Sequence, residues 1–284
     1  MIKCLFAADL HGKTYRYEAL FRQIIEGKPV IVLLGGDLLP HGMHRSIETD
    51  FTEEYLFKKF LDLKNEMGIA FPEVLLILGN DDPRSEEKTF IELSRQGIWH
   101  YIHNEKYSYE DFTIYGYSFV PPTPFRLKDW EKYDVSRYVD PGCIPPDEGI
   151  RTTKPDADPE WATISDDLKS LVGEDDMKKA LFLFHSPPHK TYLDRAALDG
   201  VMVAHVPMDV HVGSIAIERF IKNKQPLLTL HGHAHESARL SGQWKEKIGK
   251  TFCLSAAHDG PELAVVRFDT DDLQNASREL ISVT

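Results

Sequence analysis

The chain has 284 residues, 42% hydrophobic and 27% charged, an ordinary globular composition that excludes disordered and fibrous classes. Its 33 basic and 45 acidic residues leave a net charge of −12, which repels phosphate backbones and anionic membranes, so no strong nucleic-acid binding is expected. No apolar run approaches the roughly 20 residues of a spanning helix, Asp9 interrupts the first run before a signal core can form, and Cys4, Cys143 and Cys253 cannot build a disulfide framework, so a cytoplasmic protein with no membrane partner is expected.

Residues 2–8 read as a buried strand ending in Asp9-Leu10-His11-Gly12. Tyr17, Leu20, Phe21, Ile24 and Ile25 then recur with the i, i+3, i+4, i+7, i+8 period of an amphipathic helix, which Gly27 should stop. Residues 30–34 form the next strand and end at Gly35-Gly36-Asp37. A helix through Leu56, Phe60, Leu63 and Met67 leads to a strand at 74–78, followed by Gly79-Asn80-Asp81-Asp82. This alternation predicts parallel strands joined by helical crossovers.

Residues 107–109 and 112–118 flank Glu110-Asp111 as a hairpin. Eight of the seventeen prolines fall between 121 and 159, which predicts an irregular insertion at about 121–160, a lid or wall within a single domain spanning 1–284. Its Trp130, Tyr133, Tyr138 and Trp161 predict that it docks on the body. A helix through Ile164, Leu168, Leu171 and Val172 comes next, and a strand at 180–184 ends at His185. A helix at 214–222 should bury Ile217, Phe220 and Ile221, and a strand at 227–230 precedes His231-Gly232-His233-Ala234-His235. The tail, at 251–256, 263–268 and 280–283, reads as antiparallel strands.

Five buried strands thus end in a carboxylate, amide or imidazole, and ligands of α/β sheets gather outside such carboxyl ends. Asp, His and Asn without thiolate suit divalent Mn, Fe, Zn or similar ions. Seven candidate donors exceed one closed tetrahedral site, so two metals sharing a carboxylate is the economical reading. Taken singly, Asp9 and Asp37 read as helix N-caps, Asn80 as a positive-φ turn residue, and His185 as a core histidine. Spacing alone does not say which two of His231, His233 and His235 bind.

In these blocks the sequence resembles the calcineurin-like metallophosphoesterases, which show Asp-x-His, Gly-Asp, Gly-Asn-His-Asp/Glu, a lone His and Gly-His-x-His, each after a strand. Here they stand as Asp9-Leu10-His11, Gly36-Asp37, Gly79-Asn80-Asp81-Asp82, His185 and Gly232-His233-Ala234-His235, in the family's order. The resemblance implies an α/β fold, a four-layer sandwich of two mixed β-sheets flanked by helices. It implies that Asp9, His11, Asp37 and His235 hold one metal, and that Asn80, His185 and His233 complete a second bridged by Asp37. A hydroxide between the metals would then attack the phosphorus of a small phosphate ester or nucleotide. Asp81, His185 and His233 are the residues it implicates in catalysis, with one departure. Asp81 stands where the family usually has a His thought to protonate the leaving group, and a carboxylate beside cations is a poor acid.

His41 and His44, after Asp37, and His189, His205 and His211, before the last block, are candidates to replace that acid, although each taken singly reads as a surface or packing residue. His100, His103 and His258 read as structural, and Arg126 and Arg151 as solvated charges. A phosphodiesterase is expected over a phosphomonoesterase, since Asp81 would repel the second charge of a monoester. A scaffold protein that keeps the fold without turnover is the alternative, against which stands the retention of every expected ligand. The chain lacks the Asp-Arg-Gly of protein phosphatases, and its charge disfavours a nuclease.

Overall fold

The computed structural model describes residues 2–41 and 50–282. Short segments, apolar after their first residue, form its central strands: β1 (Lys3–Ala7), β2 (Ile31–Gly35) and β3 (Glu73–Ile77), with helix α1 (Thr14–Gly27) between the first two and α2 (Lys58–Met67) before the third. Helix α3 (Glu87–Ser94) and the two-residue strand β4 (His100–Tyr101) follow. β5 (Glu105–Tyr109) and β6 (Phe112–Tyr117) make the expected hairpin, with Glu110 at φ 51° in its turn. Then come α4 (Ile164–Val172), β7 (Ala180–Phe184), the small pair β8 (Met202–Val203) and β9 (Val206–Pro207), α5 (Ile215–Lys224), β10 (Leu228–His231) and α6 (Ser237–Ser241). Strands β11 (Lys245–Ile248), β12 (Thr251–Ser255), β13 (Leu263–Asp269) and β14 (Ser277–Ile281) close the chain.

The strands build two mixed six-stranded sheets, ordered β14-β13-β1-β2-β3-β4 and β11-β12-β10-β7-β6-β5. Period-2 alternation sends each sheet's side chains to two cores. Cys4, Phe6, Ile31, Leu33, Leu75 and Ile77 meet Ile114, Leu181, Leu183, Leu228 and Leu230 between the sheets. Leu5, Ala7, Val32, Leu34, Val74 and Leu76 turn the other way, with Tyr17, Leu20, Phe21, Ile24 and Phe60 of the helices. Phe182 and Phe184 likewise join Ile217 and Phe220. The result is the expected four-layer sandwich, helices outside and sheets inside.

Four sequence expectations need correction. α1 keeps Gly27 and ends at Lys28, whose φ of 44° and N–H to the Ile24 carbonyl close the helix without glycine. The helix through Leu56 starts as a π-helical turn, Phe51–Phe57, capped by the Asp50 carboxylate. β12 is antiparallel to β11 but parallel to β10, because α6 and β11 carry the chain back across the sheet end. The last strand covers Ser277–Ile281 rather than 280–283, and residue 283 lies outside the described residues.

The proline-rich segment contains no helix or strand of its own. It is nonetheless fastened: Trp130 and Tyr133 are buried, as is the Lys128–Glu131 ion pair. Asp129 accepts from the backbone of Arg84 and Thr152, each at 2.8 Å. Asp134 reaches the start of α5, accepting from Ser214 Oγ at 2.6 Å, Ile215 N at 2.6 Å and Ala216 N at 3.1 Å. Tyr138 and Trp161, in contrast to the docking expectation, are exposed.

Candidate metal centre

β1, β2 and β3 are mutually parallel, as are β6, β7, β10 and β12, so their carboxyl ends share one rim. The loops after them are stitched together by the backbone: Asp9 N donates to the Gly36 carbonyl at 3.0 Å and His11 N to the Asp37 carbonyl at 2.8 Å. Within the second sheet Gly232 N donates to the His185 carbonyl, and between the sheets His233 N donates to Asp9 Oδ1, both at 3.0 Å. Asp9, His11, Asp37 and His233 all sit at positive φ, between 49° and 70°. Left-handed geometry costs a non-glycine residue on the order of 1 kcal/mol. Four such residues at one rim mark a place where side-chain direction outweighs backbone comfort. Neither Asp9 nor Asp37 caps a helix, since α1 starts after Lys13 and no helix among the described residues starts at Asp37. Asn80 is not at positive φ. The bland readings of these three residues therefore fail.

Asp9, His11, Asp37 and His235 each offer a donor atom, all within 4.8 Å of one another. His11 Nε2 and His235 Nε2 face each other at 3.1 Å, Asp9 Oδ1 lies 3.6 Å from His235 Nε2, and Asp37 Oδ2 lies 3.9 Å from His11 Nε2. On the other side of Asp37, His185 Nε2 is 3.3 Å from Asp37 Oδ2 and 3.0 Å from Asn80 Oδ1, while His233 Nδ1 is 2.7 Å from Asn80 Oδ1. His185 Nδ1 donates to the Gly35 carbonyl at 2.7 Å, which fixes the tautomer and leaves Nε2 a bare lone pair in the neutral ring. That lone pair meets two oxygen acceptors. Such an arrangement holds together only around a positive charge, a proton or a metal ion.

The electrostatics carry the same signature. Burial alone would raise the Asp9 and Asp37 carboxyls, yet His235 holds Asp9 and His185 and His11 hold Asp37 below the ordinary range. Burial opposes charge on His185 and His235 as well, but Asp37 pushes the first up to about 10 and Asp9 the second to about 9. His11 falls to about 4 and His233 to about 3, chiefly by burial. Two buried atoms, Asp9 Oδ2 and His11 Nδ1, have no hydrogen-bond partner among the described residues. Asp9 Oδ2, an orphaned buried acceptor beside protonated imidazoles, is what a cation would satisfy.

His231, the third histidine of its block, turns away: fully buried, it is held by the Ser186 carbonyl at 2.9 Å and Thr229 Oγ1 at 2.8 Å. Asp81 lies at the rim, its Oδ2 3.7 Å from His11 Nδ1 and 3.5 Å from His41 Nδ1; burial, Asp37 and Asp82 push its carboxyl up to about 8 in the protein alone. His41 stacks on His11 with ring centroids 4.6 Å apart. His44 lies outside the described residues. His205 occupies the exposed turn between β8 and β9 at φ 68°, and His189 lies beside Asp194. Arg151 is not a free charge, because it donates to the Lys128 and Pro146 carbonyls.

Two bracing residues escaped the sequence reading. Asp82 is fully buried and accepts from Gly79 N, Leu38 N and Leu39 N at 2.9, 3.0 and 2.7 Å, tying the β2 and β3 loops into one piece. Arg16 Nη1 donates to the Asp9 carbonyl at 2.6 Å; its signal was an arginine in register with Leu20 and Ile24 on the buried face of α1. The rim opens into a cavity of about 300 Å³ whose walls include Pro121–Phe125, Cys143, Leu198, Met208, His211 and Val212, with Asp140, Asp209 and Glu236 as their charged members.

A family model described as calcineurin-like phosphoesterase matches residues 2–237. A search of curated proteins finds no match. Among solved structures, one crystal structure is 16% identical and covers 99% of both chains with a TM-score of 0.61. The TT1561 protein of Thermus thermophilus is 14% identical, also over 99% of both chains, with a TM-score of 0.57. These two likenesses concern the fold.

Proposed function

The chain belongs to the calcineurin-like phosphoesterases, divalent-metal-dependent hydrolases of phosphate esters, and on that premise we propose that it is a two-metal phosphodiesterase acting on a small organic phosphate or nucleotide. Asp9, His11, Asp37 and His235 would hold one ion, and Asn80, His185 and His233 a second that shares Asp37. The donor set fits: oxygen and imidazole donors without thiolate suit Mn, Fe or Zn, and the orphaned Asp9 Oδ2 and His11 Nδ1 are buried atoms in want of a partner. When bound, the ion pair would make water nucleophilic near neutral pH and offset charge on the phosphoryl oxygens.

The protein's own groups do the rest. The Gly35 carbonyl orients His185, and Asp81 N, donating to Asp37 Oδ1 at 2.9 Å, fixes the shared carboxylate. The insertion would wall the cavity and set substrate size. Among the described residues no lysine or arginine lines that cavity, whereas Asp81, Asp140, Asp209 and Glu236 do, which favours an ester bearing one charge over one bearing two. The observation that carries the reading is the convergence of seven nitrogen and oxygen donors on one buried rim, against which the scaffold alternative offers no purpose. Purified protein supplied with Mn, Fe(II) or Zn and screened against phosphodiesters, phosphomonoesters and nucleotides should hydrolyse a diester fastest. Absence of turnover with every ion would favour the scaffold.

A further inference from the structure

With Asp81 in place of the usual histidine, the leaving group's proton must come from another side chain; His41 stands at the rim beside Asp81 but stacks on the proposed ligand His11 and does not line the cavity. Among the described residues the imidazoles lining the cavity are His211, His233 and His235, and the last two belong to the proposed ligand set. His211 precedes α5 and stands on a different footing. Its Nδ1 lies 2.8 Å from Asp194 Oδ1, and Asp194 is fully buried. Three backbone groups hold that carboxylate: Lys190 N at 2.9 Å, Thr191 N at 3.0 Å and Gly213 N at 3.3 Å. A carboxylate so held accepts, so His211 Nδ1 must carry the proton and Nε2 is the nitrogen free to exchange one.

The ring is also fixed from its backbone, since His211 N donates to Asp209 Oδ1 at 2.9 Å and His211 pairs with Arg195 in an isolated β-bridge. His189 lies edge-on to it with centroids 5.9 Å apart. A clip that merely joined the two loops would be complete at Nδ1. Yet the His211 side chain is 27% exposed, lines the same cavity as Asp37, Asn80 and Asp81, and makes no hydrogen bond through Nε2 among the described residues. An imidazole oriented by a buried carboxylate, its second nitrogen without a hydrogen bond and its ring on the wall of a substrate space, is the arrangement that serves proton transfer in unrelated hydrolases.

We propose that His211, positioned by Asp194, donates the proton to the leaving oxygen of an ester seated in the cavity, an assignment that rests on the two-metal phosphoesterase reading. Water adds its oxygen to phosphorus as the bond from phosphorus to the leaving oxygen breaks. The electron pair of that bond stays on the leaving oxygen, which takes the Nε2 proton of the imidazolium and departs as an alcohol. The water's surplus proton passes to solvent, and the neutral ring, still bonded to Asp194, is reprotonated from solvent.

The test compares methyl 4-nitrophenyl phosphate, whose leaving group needs no proton, with methyl benzyl phosphate, whose leaving group does, using zinc-loaded protein. His211→Gln should lose about 100-fold in kcat on the benzyl ester, as removal of a general acid does, and under about threefold on the nitrophenyl ester. Metal content should be unchanged. Histidine ¹⁵N spectra of the zinc protein should show one ring, absent from the variant, that is protonated at Nδ1 and shifts when methyl phosphate is added. Asp194→Asn should reproduce the split; because it disturbs three backbone bonds, His211→Gln, which leaves them intact, is the deciding variant. Equal losses on both esters, no loss on the benzyl ester, or a neutral ring protonated at Nε2 and bare at Nδ1 would overturn the role of His211 alone. Wild-type protein that binds no metal and cleaves neither ester would overturn the two-metal reading and this assignment with it.

Discussion

Gly79→Ala disturbs the centre without replacing a donor. Gly79 lies two residues past the end of β3, where three pieces of the site meet. A Cβ there would sit 2.3 Å from Asp37 Oδ1, 2.5 Å from Asp37 N and 2.6 Å from His185 Cε1. Ordinary contacts begin near 3.4 Å, so the shared carboxylate and the His185 ring must each retreat by about 1 Å. Neither can do so freely. Asp37 Oδ1 is held by Asp81 N, His185 by the Gly35 carbonyl, and the loop by Asp82. Overpacking of this kind costs about 1–3 kcal/mol of stability. Displacing oriented ligands costs about 10- to 100-fold in metal affinity, and a 1 Å misplacement about 100-fold in rate. The assay is chelator competition for zinc, with kcat/KM on methyl 4-nitrophenyl phosphate at saturating metal. Gly27→Ala, whose Cβ would meet only Arg267 Nη1 at 3.9 Å, is the control. A Gly79→Ala protein that folds and keeps wild-type affinity and rate would refute the reasoning.

Asp81 lines the cavity and would be ionised once cations sit beside it; two unit charges about 5 Å apart at an effective dielectric near 20 repel by roughly 3 kcal/mol, partly offset by the cations, so kcat/KM should favour a diester over its matched monoester about tenfold, and Asp81→His should narrow the gap. Asp134→Asn, measured by thermal unfolding and steady-state kinetics, should cost about 1–3 kcal/mol by weakening the cap of α5 and should raise KM while metal content stays constant. His103 is buried, accepts from Ser118 N, and titrates well below its ordinary value because burial and the charges of Arg84 and Lys132 disfavour its cation. The unfolded chain therefore takes up this proton first, so stability is full above about pH 6.5 and falls as pH drops below it, by up to about 1.4 kcal/mol per unit. In denaturant melts His103→Gln should lose less stability than wild type between pH 6.5 and 5.

The sheets were legible because their central strands are short, mostly apolar and followed by glycine or polar residues, and the strand-end residues were legible because a polar side chain directly after such a strand has few other purposes. What escaped depends on non-local pairing. β4 has two residues and β11, Lys245–Ile248, is rich in charge, so neither carries a periodic signal. β12 reads as antiparallel because sequence does not reveal that α6 and β11 turn the chain around before it. Among three histidines at spacing two, only the burial of His231 between Ser186 and Thr229 separates it from His233 and His235. Asp82 looked like a turn residue, and its three backbone donors come partly from a loop more than forty positions away. Asp194 and His211 are seventeen residues apart within a stretch that has little regular structure, and their pairing is visible only in three dimensions.

The central claim is that Asp37 joins two ions. Elemental analysis of protein prepared without chelators, alongside Asp37→Ala, tests it most directly. The account predicts close to two equivalents of divalent metal per chain in the wild type and well under one in a folded Asp37→Ala, with hydrolysis lost in step. A wild type that binds a single equivalent, or an Asp37→Ala protein that keeps its metal and its activity, would contradict it.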